Sequence, residues 1–96
     1  MGHYQKALDL YNECLIVREK ILGVEHPDYL KVKNNIAAVF FRMGQFQNAL
    51  EQYNECLIME RKILGVEHPD YLTTKHNIAG VFQGMGQYQM ALYHYN

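Results

Sequence analysis

At 96 residues and a net charge of −1, with both signs interspersed, the chain has room for one small domain and lacks the basic face or stripe that nucleic acid demands. The same balance excludes an acidic tail and a cationic membrane-surface helix, and no apolar run approaches the roughly 18 residues of a membrane span. The N-terminal MGHYQKALDL has no apolar core of the kind a secretion signal needs, so a cytoplasmic setting is expected.

The first predicted element is a helix over 3–22, closed by Gly23. The loop GVEHP leads into a second helix over 28–43, where Val32, Ile36, Val39, Phe40 and Met43 recur at three- and four-residue spacing. His26 suits the N-cap, Pro27 the first position, where a missing N–H costs nothing, and Asp28 complements the helix dipole. Gly44 breaks this pattern, and a third helix over 45–64 carries Phe46, Ala49, Leu50, Tyr53, Cys56, Leu57 and Leu64 on one face. Gly65 is expected as a left-handed C-cap, with Val66 placed for the accompanying hydrophobic contact. A second GVEHP precedes a fourth helix over 70–85, and 87–96 reads as the start of a fifth.

These elements repeat. Glycine at 2, 44 and 86 opens each near-copy of one 42-residue phrase; residues 2–43 and 44–85 differ at 14 positions and agree at 28 (42 − 14). With connections this short, neighbouring helices must run antiparallel. No pair covers its own apolar face, so successive pairs stack. The expected fold class is all-α: an α-solenoid of antiparallel helix pairs across 1–96, about two and a quarter 42-residue repeats long.

The small and aromatic residues of NIAAVFFRMGQFQNALEQYNECL (35–57) resemble the tetratricopeptide repeat, whose usual period is about 34 residues. The surplus of about eight residues is roughly two helical turns, one added to each helix. LGVEHPDY and NNIA resemble the 42-residue version found in kinesin light chains, although Lys33 and Lys75 stand where related repeats often carry a large apolar side chain. The resemblance implies a right-handed superhelix with a concave groove, lined by the first helix of each pair, that takes a peptide or partner helix. Asparagines similar to Asn35 and Asn77 clamp peptide backbone in that family, and an amide offers both donors and an acceptor for the task; a hydrogen bond within the stack is the equal alternative.

The copies disagree in an informative way. In the first helix of the pair the differences are Lys31/Thr73, Val32/Thr74, Asn34/His76, Ala38/Gly80, Phe41/Gln83 and Arg42/Gly84. At about 100° per residue all but position 32 fall on one stripe, while Ile36, Ala37, Val39 and Phe40 recur unchanged. The recurring face is expected to pack and the varying stripe to face solvent. Carried onto the family's groove, the candidate binding set is Lys31, Asn34, Asn35, Ala38, Phe41, Arg42, Thr73, His76, Asn77, Gly80 and Gln83, with Phe41 as an aromatic anchor. Drift on an exposed face is the competing reading. Gly80 costs up to about 1 kcal/mol against the alanine of the other copy. In the second helix, Lys6/Asn48, Asp9/Glu51, Leu10/Gln52 and Val17/Met59 are expected on the solvated convex face.

Catalytic chemistry is not expected. The chain has no serine, phosphate loop or Cys-x-x-Cys, and its five histidines have no metal-ligand spacing. His-Pro-Asp at 26–28 and 68–70 resembles the J-domain signature loop, but it recurs with the repeat at helix starts, where its residue types make structural sense. Cys14 and Cys56 occupy equivalent positions one repeat apart, beyond the roughly 7 Å Cα limit of a disulfide, and read as buried structural thiols. No cofactor or metal is implied. The expected role is a non-catalytic protein or peptide scaffold. Its alternative is a self-associating element, a homo-oligomer through uncapped repeat ends, since an array normally needs about three repeats and capping faces.

Overall fold

The computed structural model describes residues 3–86 and holds four helices, α1 (Tyr4–Leu22), α2 (Pro27–Arg42), α3 (Phe46–Ile63) and α4 (Pro69–Gly84). The expected fifth helix at 87–96 lies outside the described residues. No strand occurs among the described residues, and the chain is an all-α helical repeat.

Capping follows from the repeated punctuation. His26 and His68 are N-caps whose Nδ1 atoms accept the amides of Asp28 and Asp70 at 3.1 and 3.0 Å. Accepting through Nδ1 puts the ring proton on Nε2 when the imidazole is neutral. His-Pro-Asp is thus a capping device in both copies. At the other end of α2, Gly44 takes φ +78° and donates to the Phe41 carbonyl, while the Gln45 amide reaches back to Phe40 at 2.8 Å. This pair of bonds is a Schellman closure, which needs a residue free to adopt positive φ. At the end of α3, Gly65 follows the C-cap Leu64 and takes the expected left-handed φ of +90°, while Val66, placed for the closing contact, is exposed.

Packing proceeds by neighbours, α1 on α2, α2 on α3 and α3 on α4, with a smaller α2–α4 contact. Leu8 meets Val32, Ile36 and Val39 between α1 and α2. Tyr29 and Leu30 enclose Cys56 between α2 and α3. Ala37, Ala49, Leu50, Tyr53 and Val81 join α2, α3 and α4. At about 1.5–3 kcal/mol for each fully buried large apolar side chain, each junction is held by only a few residues, and a helix covered on one side holds less than one covered on two.

Two expectations are overturned here. Cys56 is fully buried, but Cys14 is exposed. The phrase around them is the same, but α3 lies between α2 and α4, whereas among the described residues α1 packs on α2 alone. Both thiols are free. Met59, expected on the solvated face, instead packs with Ile63 against the Tyr29–Leu30–Cys56 cluster.

Candidate functional site

Where α2 and α4 approach each other across α3, the surface opens into a cavity of about 330 Å³. The α2 wall consists of Lys31, Asn34, Asn35 and Ala38, and the α4 wall of Asp70, Thr73, Thr74 and Asn77. Tyr53 and Glu60, both buried residues of α3, complete the lining. The walls come from one face of α2 and α4 because residues three, four and seven apart share a helix face.

Six of the candidate residues therefore meet around one cavity: Lys31, Asn34, Asn35, Ala38, Thr73 and Asn77. Arg42, His76 and Gln83 are exposed, Gly80 is half-buried, and none of these four lines it. Phe41 requires a correction. Its ring is half-buried, tilted at 54° against Phe46 with centroids 5.7 Å apart, and packs on the α2–α3–α4 core. A Cβ placed on Gly84 would stand 2.6 Å from the Phe41 ring. The differences Phe41/Gln83 and Arg42/Gly84 are thus partly a packing compensation: the ring fits because the residue opposite it on α4 has no side chain. Gly80, by contrast, faces open space, with nothing within 4 Å of a Cβ placed there.

The floor of the cavity carries a polar cluster that the varying stripe did not include. Glu60 is 2 % exposed; its Oε2 accepts from the Asn34 Nδ2 at 3.3 Å. Thr74, 1 % exposed, donates its hydroxyl to the Asn34 Oδ1, also at 3.3 Å. That hydroxyl has a single proton, so it serves either Asn34 or, on rotation, the Glu60 carboxylate. Glu60 Oε1 is buried and finds no hydrogen-bond partner among the described residues. Burial pushes the Glu60 carboxyl above its ordinary range, hydrogen bonding to Thr74 and Asn34 holds it back, and the Asp70 charge adds to the rise. Burial also raises the Tyr53 hydroxyl, against the pull of Arg42, and pushes the Cys56 thiol up to about 12 with a further contribution from Glu60.

The sequence does hold a trace of this cluster. Its counterparts in the first copy are Arg18 for Glu60 and Val32 for Thr74. Arg18 sends its Nη1 to the Asp28 carbonyl at 3.3 Å, and Val32 packs apolarly against Leu8. Position 32, the one difference off the stripe, is off it because it is buried. On the side away from the cavity, Lys33 bridges α2 to α3 through Glu55 and lies 6.0 Å from the Tyr29 ring centre. This lysine, largely buried, stands where an apolar side chain is common and holds its charge against a carboxylate while its stem packs. Among the described residues no cluster of three or more His, Cys, Asp or Glu side chains is placed to hold a metal ion, and no helix is long and apolar enough to cross a membrane.

The geometry is that of a helical-repeat module whose successive helix pairs share a polar cavity. The tetratricopeptide repeat profile matches residues 1–57 and 29–96. Crystallised kinesin light chain TPR-like repeats from Podosopora anserina superpose with a TM-score of 0.77 at 32 % identity, covering 96 % of this chain and 44 % of that one. A point variant of that array gives 0.77 at 30 % identity, covering 96 % and 43 %. No curated protein sequence matches. The chain belongs to the tetratricopeptide repeat family and is of the kinesin-light-chain-like kind. It spans less than half the length of these arrays. Repeats of this fold generally serve protein–protein interaction or scaffolding.

Proposed function

We propose that this chain binds an extended segment of a partner protein in the cavity between α2 and α4. The observation that carries the reading is the composition of the two walls: Asn34 and Asn35 face across to Thr73 and Asn77, so amides and a hydroxyl from both repeats converge where a peptide backbone offers alternating N–H and C=O groups. Lys31 and Thr73 occupy varying positions at the rim and would supply selectivity. A cavity of this size takes one or two side chains rather than a whole domain. Arg42, His76, Gly80 and Gln83 extend the proposed path beyond it, whereas Phe41 contributes through packing.

The test is selection of displayed peptides on the immobilised chain, followed by titration of the selected sequences. Asn35→Ala combined with Asn77→Ala should weaken them by about tenfold or more, as each lost hydrogen bond is worth about 1 kcal/mol, without lowering the melting temperature. Ile58→Ala, on the far side of α3, should leave binding unchanged. Peptides indifferent to the asparagine pair but sensitive to Ile58 would refute the cavity as the site.

A second reading, assembly through the open α1 face, rests on a different observation. Leu10, Cys14, Val17 and Ile21 form one exposed row on α1, at the spacing of a helix-packing seam. Three of their counterparts on α3, Cys56, Met59 and Ile63, pack against α2. Assembly of this kind requires that Cys14 become protected as protein concentration rises.

A further inference from the structure

We propose that the floor of the cavity is a recognition site for a basic side chain of the bound segment, a lysine or arginine, with Glu60 as its counter-charge. The inference rests on the peptide-groove reading above and adds the chemistry of one ligand residue to it. A carboxylate at 2 % exposure with one oxygen unpartnered among the described residues is an incomplete arrangement, because a buried anion is ordinarily paired and fully hydrogen-bonded. No lysine, arginine or histidine of the described residues forms an ion pair with it. Asn34 already serves Oε2, so what the group lacks is a donor, preferably a charged one, since charge-assisted bonds are shorter and about twice as strong.

The surroundings favour a cation over an anion or an apolar group. Asp70 is a second carboxylate in the lining, and the one cation there, Lys31, belongs to an exposed rim residue free to turn to solvent. A neutral donor from peptide backbone has the asparagines to meet; only the carboxylate calls for positive charge. Among the described residues the site belongs to this junction alone. The equivalent position in the first copy is Arg18, already bonded to the Asp28 carbonyl, so the feature does not come with the repeat.

The experiment uses peptide libraries of about nine residues, each position fixed in turn as lysine, norleucine, Nε-acetyl-lysine or glutamate, titrated against the whole chain. One position should prefer lysine over norleucine and acetyl-lysine by about tenfold or more. Glu60→Gln, nearly isosteric, should reduce that preference to within about twofold while leaving norleucine peptides bound as before. Asp70→Asn should leave most of it in place. Equal binding of lysine and norleucine at every position, or a preference that survives Glu60→Gln or disappears with Asp70→Asn, would overturn the assignment and mark Glu60 as a structural group met by water, with peptide binding itself intact. Absence of binding by every library would refute the groove reading and this one together. Should Glu60→Gln fail to fold, Glu60→Met supplies the uncharged variant, and the lysine-to-acetyl-lysine comparison on the unmodified chain still decides whether charge is read.

Discussion

Helices α1 and α3 share the phrase Tyr-Asn-Glu-Cys-Leu-Ile, at 11–16 and 53–58, yet use it differently. In α3 the tyrosine and cysteine are buried between flanking helices; in α1 the tyrosine is half-buried and the cysteine exposed. Nothing in the residues themselves differs. The inside of a repeat is therefore defined by the helix laid against it, and a buried position in such an array is a property of the stack rather than of the side chain.

Alkylation puts the largest number on that comparison. In the native chain Cys14 should react with iodoacetamide at least about a hundredfold faster than Cys56, because reaching Cys56 requires separating α2 from α3 at a cost of about 3 kcal/mol or more, and its thiol is held near pKa 12. Peptide-resolved mass spectrometry at timed intervals checks this. Equal rates would show that the α2–α3 junction opens freely, and slowing of Cys14 with rising concentration would show a second molecule covering α1.

A smaller contrast separates Glu60 from Arg18. A carboxyl whose folded pKa exceeds the unfolded value of about 4.3 binds more protons in the native state over that interval, so its contribution falls as pH rises through the folded pKa. Glu60→Gln should accordingly stabilise the chain near neutral pH, because the neutral amide removes the buried charge, with the gain shrinking toward pH 4. Thermal melts of both proteins across pH 4 to 8 read the crossing directly. A gain independent of pH would exclude titration of Glu60 as its source.

The smallest effect concerns Ala38 and Gly80. Gly80→Ala meets open space and should add up to about 1 kcal/mol of helix stability, measured by denaturant titration. Gly84→Ala, four residues on, should destabilise instead, because the new methyl meets the Phe41 ring.

How much of this was legible in the chain follows the range of the forces involved. The four helices and their ends could be read because proline, glycine and histidine act locally, within a turn of where they stand. The stripe of Lys31, Asn34, Asn35 and Ala38 could be read because helical periodicity puts those residues on one face. Phe41 is not legible in the same way, because its variation between copies records a fit to Gly84 on another helix rather than exposure. Glu60 and Thr74 were missed for a related reason. They lie 26 and 40 residues away in sequence from their shared partner Asn34, and only the stacking of α2, α3 and α4 brings the three together. Cys14 and Cys56 share their local sequence, but burial of Cys56 comes from Tyr29 and Leu30 on another helix, which the local sequence does not record.

The cluster of Asn34, Glu60 and Thr74 makes the order of the repeats chemically legible. Copies that agree at 28 of 42 positions would otherwise be interchangeable parts. An exchange that set the Arg18 kind of helix between α2 and α4 would bring a guanidinium to Asn34 and Thr74 in place of a carboxylate. The helices would still stack, but the junction would carry the wrong sign. Each repeat holds an address as well as a shape, and an array shuffled by recombination could keep its fold while losing its wording.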